Sequence, residues 1–202
     1  SPGAEEDTPV DYTSKIVKPE NKSLWDRCVR FEYDVFIESG YIEENPEKKI
    51  PKYDRYDHSL FLVVHQEEKN QNEADITIAG VMRLFFAPHA EKMQEGLFPV
   101  FDLYDKSKLY RDRLDILMKL DPKDMVNIGA LAIAKKFRKT KCFMKAMGTF
   151  FKFCCENSYL WAFASLENLF LYDILKKYFT LLDLGPELLF RGAPSIFLII
   201  DI

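Results

Sequence analysis

Apolar side chains early in the chain recur at the spacing of an α-helix. They fall at steps of three, four and one, at Leu24, Cys28, Phe31, Val35 and Phe36. This spacing places them on one helical face. We predict a helix that begins at Lys22 or Ser23, with Ser23 as its N-cap, and that ends at Gly40. Residues 1–20 are polar and contain three prolines, which predicts a flexible N-terminal arm.

Two apolar runs follow, at residues 59–65 and 76–86, and the segment between them is charged and amide-rich. This pattern predicts two strands joined as a hairpin. We predict a short helix over residues 87–95. Residues 98–120 mix aromatic and charged side chains without a clear period.

The second half alternates between strands and helices. Residues 125–134 carry no charge and predict a central strand, and residues 160–165 and 195–202 predict two further strands. Helices are predicted over residues 142–158 and 166–179, with a short strand around 181–184. Residues 142–158 are apolar nearly all round, which predicts a helix buried on more than one side. Antiparallel strands followed by strand–helix alternation predict one α/β domain with a mixed sheet.

Composition excludes several classes of function. A net charge of -4 gives no global attraction to nucleic acid or to an anionic membrane. The cysteines and histidines follow no zinc, disulfide or metal-site spacing, so we expect reduced thiols and no metal. With no signal-peptide pattern and no apolar run long enough to span a bilayer, we expect a soluble cytoplasmic protein. The 17 Phe and 10 Tyr suggest a roomy apolar interior.

Several segments, in order, resemble one family of acyltransferases. The matching pieces are Val35-Phe36, Asp54 with Asp57, Gly80 to Leu84 followed by Pro88, Met93 and Phe98-Pro99, residues 126–133, and Leu184-Gly185-Pro186 followed by Phe190-Arg191-Gly192. They resemble motifs of bacterial acyl-homoserine-lactone synthases and long-chain N-acyl amino acid synthases. The likeness spans residues 24–202.

The resemblance implies a GNAT-like fold over residues 21–202, with a mixed, mostly antiparallel sheet flanked by helices. It also implies transfer of a fatty acyl group from a coenzyme A or acyl-carrier-protein thioester to the amine of an amino acid or similar acceptor. No tightly bound cofactor is expected. The residues that it points to for catalysis are Asp54, Asp57, Arg83, Asn127 and Tyr172. Those for the acyl donor are Ile128, Gly129, Leu131, Ile133, Lys135, Lys136, Arg138, Lys139 and Lys141.

The chain also departs from the family pattern. Glu32 stands where the family has a helix arginine, and Asn127 stands where it has a strand glutamate. Gly129 and Ala130 replace the neighbouring serine and arginine. Because an amide accepts no proton at pH 7, the family's general base is absent from position 127. Another base is then required, or a water held by Asn127 and one of Asp54 and Asp57.

Residues 135–141 carry five cations between a predicted strand and a predicted helix. In GNAT proteins this loop holds a pyrophosphate at the helix N-terminus, where unpaired N–H groups favour anions. Here Lys141 and Phe143 replace the loop glycines. The cations therefore either bind phosphate or an acidic carrier protein through their side chains, or form an ordinary solvated turn.

The remaining candidates also keep two interpretations each. Asp54 and Asp57 either hold an amine or belong to a polar surface turn. Arg83 is the single charge in its strand and requires an anion, for which we predict Asp54 or Asp57. Tyr172 either protonates the leaving thiolate, as the resemblance implies, or packs in its helix. The aromatic helix 142–158 either walls an acyl-chain pocket or belongs to the core.

The enzyme interpretation has two competitors. A catalytically degenerate acyl-thioester-binding or regulatory module explains the missing base, and an interaction protein without a ligand is the third possibility. Turnover distinguishes the enzyme from the binding module. Stabilisation by an acyl-thioester distinguishes both of them from the interaction protein.

Overall fold

The computed structural model describes residues 11–67, 72–102, 105–138, 140–166, 169–190 and 193–202. Within these ranges the strands and helices follow in this order: β1 (Tyr12–Val17), α1 (Lys22–Glu38), β2 (Ser59–Gln66), β3 (Ile78–Phe85), α2 (Arg111–Leu117), β4 (Met125–Ile133), α3 (Cys142–Glu156), β5 (Trp161–Leu166), α4 (Leu169–Tyr178), β6 (Leu181–Asp183), β7 (Leu188–Phe190) and β8 (Ala193–Asp201). Short 3-10 turns, including Pro51–Arg55, connect several of them.

The strands form one mixed sheet in the order β1-β2-β3-β4-β5-β8-β6, with β7 paired to β8. Neighbouring strands run antiparallel except for β4 and β5, which are parallel. The fold class predicted from the sequence, a mostly antiparallel sheet flanked by helices, is confirmed. So is the central place of β4.

Helices cover both faces of the sheet. Leu62 and Val64 of β2 belong to the hydrophobic cluster that includes Phe150 of α3. Phe61 and Val63 point the other way and pack in the cluster that includes Cys28 of α1. Because successive strand residues face opposite sides, a strand covered on both faces is apolar throughout. This explains why residues 59–65 show a continuous apolar run.

The first helix is capped at both ends by local hydrogen bonds. Asn21 is the N-cap, and its side chain accepts from the backbone N–H of Leu24 at 3.4 Å, so the prediction of Ser23 as the cap is wrong. Gly40 has φ +74°, and the N–H of Tyr41 donates to the carbonyl of Phe36 at 2.9 Å. This left-handed turn satisfies the last carbonyls and favours glycine. The predicted stop at Gly40 is confirmed.

Other predictions need correction. Residues 12–17 form β1 and pair with β2, so the arm prediction is wrong over this stretch, while residues 1–10 lie outside the described residues. No helix forms over residues 87–95, and α2 and β7 were not predicted. The third helix is open on one side, where the side chain of Met144 is 53% exposed. It therefore covers one face of the sheet and is not enclosed.

The described residues also show the environment of the cysteines, the arrangement of potential metal ligands and the character of the helices. Cys28, Cys142 and Cys154 are buried free thiols and Cys155 is an exposed one. Within the described ranges, no three potential metal ligands lie together. None of the helices found there is long and apolar enough to span a membrane.

Candidate functional site

The parallel strands β4 and β5 are paired along a short stretch and then separate. The paired residues are Met125, Val126 and Asn127 of β4 with Trp161, Ala162 and Phe163 of β5. Both strands continue past this point, β4 to Ile133 and β5 to Leu166. Beyond the pairs a gap opens in the centre of the sheet.

A cavity of about 220 Å³ occupies this gap. Its walls come from β3, β4, β5, β8, α1, α3, α4 and the loop that precedes β2. The lining residues are Phe36, Tyr41, Ile42, Lys52, Tyr53, Met82, Ile128, Gly129, Ala130, Leu131, Phe143, Met147, Ala164, Ser165, Leu166, Leu171, Leu175 and Ile200.

The cavity joins the two faces of the sheet. Met82, Met147 and Leu175 belong to the hydrophobic cluster under α3 and α4. Tyr53 and Ala130 belong to a cluster on the opposite side. The end of the cavity that is lined by the cluster under α3 and α4 is called the apolar chamber. The other end, formed by α1 and the Pro51–Arg55 turn, carries the polar groups of Lys52 and Tyr53.

A bulge in β4 shapes the middle of the cavity. Ile128 pairs with Leu84 and Ala130 pairs with Arg83, so Gly129 is an additional residue in β4. The phenol of Tyr53 donates to the Gly129 carbonyl at 2.8 Å. A Cβ at position 129 would lie 2.7 Å from Cδ2 of Phe85, so glycine is required for this close packing. Bulges of this kind bend a strand and redirect its backbone groups.

Three of the residues predicted to bind the acyl donor line the cavity, namely Ile128, Gly129 and Leu131. The fourth residue predicted from β4, Ile133, packs at the edge of the core cluster under α3 and does not line it. The structure therefore brings the middle of β4 to the cavity and leaves its end outside. That these residues bind an acyl donor stays a prediction.

Asn127 is fully buried beside the cavity but does not line it. Its Oδ1 accepts from the backbone N–H of Val100 at 3.0 Å, and its Nδ2 donates to the carbonyl of Phe163 at 3.5 Å. Both ends of the amide thus hold backbone of neighbouring segments together. The two aspartates considered as partners for a shared water, Asp54 and Asp57, are exposed on the surface.

The two aspartates lie away from the cavity. Asp54 and Asp57 are exposed, and Asp54 forms an ion pair with Lys49 at 2.6 Å. The prediction that one of them pairs with Arg83 is wrong. Arg83 is instead bound to Glu32 of α1, with Nη1 and Oε1 3.1 Å apart. In the sequence Glu32 lies four residues after Cys28 and three before Val35, on the buried face of α1. It is a departure from the family pattern there, but no local pattern marks it as the partner of Arg83.

The Glu32–Arg83 pair is buried in aromatic surroundings. Four rings lie 4.9–5.4 Å from the guanidinium carbon of Arg83, those of Trp25, Tyr53, Phe61 and Phe85. Burial raises the pKa of Glu32 from 4.5 to about 7, although the charges of Arg83 and Lys52 oppose the shift. Oε2 of Glu32 and Nε of Arg83 are buried without a hydrogen-bond partner. The pair lies next to the polar end of the cavity, since Tyr53 contacts Arg83 and lines the cavity.

Tyr172 of α4 does not line the cavity, although its neighbours on the helix, Leu171 and Leu175, do. Its hydroxyl lies 3.0 Å and 3.1 Å from the two carboxylate oxygens of Asp183 and donates to that group. Burial and this carboxylate raise the pKa of Tyr172. These hydrogen bonds hold the phenol of Tyr172 against Asp183 of β6.

The basic segment between β4 and α3 is exposed. Lys135, Lys136, Arg138 and Lys141 lie on the surface, and Lys139 lies outside the described residues. Nε of Arg138 donates to the carbonyl of Ile133 at 3.0 Å. The hydroxyl of Thr140 accepts from the N–H of Cys142 at 3.3 Å, so one of the first N–H groups of α3 is already capped. Nη2 of Arg138 also lies 4.0 Å from Oε2 of Glu38. The side chains of Lys135, Lys136 and Lys141 are exposed to solvent, where an anion can reach them.

Sequence reasoning missed four polar residues that line the cavity: Tyr41, Lys52, Tyr53 and Ser165. Lys52 and Tyr53 directly precede Asp54, so the right segment had been singled out but not the right side chains. No local pattern marks which residues of a short turn face inward. Lys52 is the one charged side chain among the described residues that line the cavity.

Comparison with solved structures shows which proteins have this fold. The CoA-dependent acyl-homoserine lactone synthase BjaI, solved with SAM and isopentyl-CoA, is similar with a TM-score of 0.67 at 16% identity, covering 95% of this chain and 84% of that one. The acyl-homoserine lactone synthase LasI is similar with a TM-score of 0.64 at 14% identity, covering 95% and 90%. FeeM, an N-acyl amino acid synthase from uncultured soil microbes, is similar with a TM-score of 0.56 at 11% identity, covering 95% and 91%.

The resemblance drawn from the sequence motifs therefore agrees with the fold. No protein-family model matches the chain, and no curated protein sequence matches it.

Proposed function

We propose that this chain, which has the fold of the acyl-homoserine lactone and N-acyl amino acid synthases, is an N-acyltransferase. It moves an acyl group from a coenzyme A thioester, or from a carrier-protein thioester, to the amine of a small acceptor. The observation that carries the proposal is the cavity between β4 and β5, which joins an apolar chamber to a polar end through the centre of the sheet.

The middle of β4 supplies the groups for the reaction. In an antiparallel pair alternate residues turn their N–H groups away from the partner strand. In β4 these groups face the gap that β5 leaves after Asn127. An N–H group there polarises the thioester carbonyl and stabilises the oxyanion that forms when the amine attacks. The carbon–sulfur bond then breaks and the thiolate leaves. The proton that the amine nitrogen loses ends on the departing sulfur, so the products are the amide and the free thiol.

The apolar chamber takes the acyl chain. It is lined by apolar side chains of the cluster under α3 and α4, such as Met82, Met147 and Ile200. Each buried methylene contributes about 0.8 kcal/mol, or roughly a fourfold gain in affinity per carbon. Affinity should therefore rise with chain length until the chamber is full and then stop rising.

The exposed cations Lys135, Lys136, Arg138 and Lys141 take the phosphates of the donor. They follow directly on β4, whose middle lines the cavity, so a thioester at Gly129 has its phosphate-bearing arm near this segment. An acidic carrier protein is the second donor that this charge favours. Replacing Lys141 with Gln should weaken acyl-CoA binding. The same change at Lys152, about 16 Å further along α3, is the matched control.

Thermal unfolding against free CoA and acyl-CoA of increasing chain length tests binding. Ligand at about 100 times its dissociation constant adds roughly 2.7 kcal/mol to the free energy of unfolding. A rise in melting temperature that grows with chain length and then levels off supports the acyl chamber. No shift with any acyl-CoA or with a loaded carrier protein would contradict the proposal. Release of free thiol that depends on an added amine then tests transfer.

One observation favours a second candidate, an acyl-thioester-binding module without catalysis. None of the described residues that line the cavity carries a carboxylate, and both polar ends of Asn127 are held by backbone. Tight binding of acyl-CoA without thiol release across a panel of amines would favour this module over the enzyme.

A further inference from the structure

Two histidine side chains lie against each other on the surface, away from the cavity. His58 directly precedes β2, and His89 lies in the loop that follows β3. The centres of their rings are 5.1 Å apart, and the ring planes are inclined by 69°. Both residues are exposed and neither lines the cavity. Neither takes part in the proposed acyl transfer.

The backbone anchors both positions. The carbonyl of His58 accepts from the N–H of Phe86 at 2.9 Å, which continues the pairing of β2 with β3 by one step. His89 lies in a turn in which the N–H of Ala90 donates to the carbonyl of Ala87 at 3.3 Å. The residue before His89 is a proline, whose ring fixes its own φ angle. Ala87 belongs to the core cluster that Ala90 packs against. The two imidazoles are therefore presented to solvent from ordered backbone.

The geometry of the two rings fits a shared metal ion. A ring nitrogen binds a metal in the plane of its ring, so two imidazoles share one ion only where their planes meet. Parallel rings exclude this arrangement, whereas planes inclined by 69° intersect. With nitrogen–metal distances of about 2.0–2.1 Å the ion lies roughly 3.2 Å from each ring centre, and a tetrahedral angle between the ligands then separates the centres by about 5.2 Å. The separation in this protein is 5.1 Å.

We propose that His58 and His89 form a binding site for a divalent transition-metal ion, with Zn²⁺ as the ion. Imidazole is a preferred ligand of Zn²⁺, and a tetrahedral angle suits it better than Cu²⁺ or Ni²⁺, which favour square-planar sites. Within the described residues no third His, Cys, Asp or Glu joins the pair, so water completes the coordination. Two protein ligands bind the ion more weakly than a closed four-ligand site does.

The bound ion ties the start of β2 to the turn after β3. Because the unfolded chain does not hold the two imidazoles together, metal binding stabilises the folded state. The spacing of the histidines in the sequence gave no sign of the site, because the two residues meet only through the pairing of β2 with β3.

Titration of ZnCl₂ into metal-free protein, followed by calorimetry, tests the site. We expect one saturable binding event. His58→Gln and His89→Gln should each weaken it by at least about tenfold, because even the outer-shell partners of metal ligands are worth 10- to 100-fold in affinity. The double variant should lose it. Since both side chains are exposed, none of these changes should shift the melting temperature in EDTA.

Two control variants exclude the other ligands that Zn²⁺ favours. His65→Gln replaces the third histidine, which is 9% exposed and whose Nδ1 lies 2.9 Å from the carbonyl oxygen of Gln66. Cys155→Ser removes the exposed thiol. Both variants should bind Zn²⁺ as tightly as the wild type.

Ring ¹⁵N–¹H correlation spectra identify the ligands directly. On addition of Zn²⁺ the ring signals of His58 and His89 should shift together and saturate at one concentration, while those of His65 stay in place. Zn²⁺ should also raise the melting temperature of the wild type and not that of H58Q/H89Q. No saturable binding, or binding that H58Q/H89Q leaves unchanged, would overturn the proposal and leave the two rings as an aromatic contact only.

Discussion

Glu32 of α1 and Arg83 of β3, 51 positions apart in the chain, form an ion pair with 3.1 Å between Oε1 and Nη1. The side chain of Glu32 is completely buried and that of Arg83 is 8% exposed. Aromatic rings enclose the guanidinium, so neither charge has water to replace its partner. The pair joins the first helix to the centre of the sheet next to the cavity.

Replacing Glu32 with Ala should destabilise the protein by about 3–5 kcal/mol, because it leaves a buried arginine without an anion. Below about pH 6, replacing Arg83 with Met should lower the free energy of unfolding by less than Glu32→Ala does. The buried glutamate that remains can take up a proton and become neutral, whereas a buried arginine cannot lose its charge. Urea unfolding of both variants measures the difference. Asp34→Ala, which removes an exposed pair with Arg30 on the same helix, should cost less than about 1 kcal/mol. Equal, small effects of E32A and D34A would contradict the prediction.

Stability should depend on pH through Glu32. Burial raises the pKa of this carboxyl from 4.5 to about 7 in the folded protein, so the folded state holds the proton more tightly than the unfolded chain. The pH-dependent part of the stability that comes from Glu32 is therefore fully present below pH 4.5 and is lost as the pH rises through 7. Glu32→Gln removes this dependence. The difference in the free energy of unfolding between wild type and E32Q, measured from pH 4.5 to 8, should change steadily over that range; parallel curves would show that the pKa is not raised.

Gly129→Ala should destabilise the protein by about 1–3 kcal/mol, because the new methyl group enters the space of the buried Phe85 ring. Gly148→Ala is the matched control. A Cβ at Gly148 meets nothing within 4 Å, so that change should stabilise α3 by about 0.5–1 kcal/mol. Thermal and urea unfolding distinguish the two. The double change Gly129→Ala with Phe85→Leu should lower the free energy of unfolding by less than the sum of the two single changes. Fully additive effects would contradict a contact between the new methyl group and the Phe85 ring.

Asn127→Asp should not restore a general base, even though it introduces the type of residue that the family has there. The new carboxylate cannot donate to the carbonyl of Phe163 and lies outside the cavity, so a cost of about 1–3 kcal/mol is expected with no gain in thiol release. Asn157→Asp, at the exposed end of α3, should have a much smaller effect on stability. A rise in amine-dependent thiol release in N127D would show that this position does reach the acceptor.

Local patterns in the chain determined most of the elements. The steps of three and four in α1, the uncharged run of β4 and the position of Gly40 predicted a helix, a central strand and a helix end that the structure confirms. Such signals depend on neighbours within a few residues, which is why they can be read from the chain alone. The family motifs pointed to the middle of β4 as the donor site. Ile128, Gly129 and Leu131 line the cavity there, and their binding of a donor stays a prediction.

Contacts between distant segments decided the rest. The strand β1 forms by pairing with β2. Its sequence has polar residues, Thr13 to Lys15, between apolar ends, so it shows no regular alternation that would reveal a strand. The sequence indicated that Arg83 requires an anion, and the aspartates of the turn before β2 were predicted as its partners. The partner is instead Glu32, because β3 packs against α1. The gap between β4 and β5 and the inward position of Lys52 likewise arise from packing of the whole chain. Periodicity specifies which face of an element is buried, whereas the partner that each buried group meets is set by how the elements assemble.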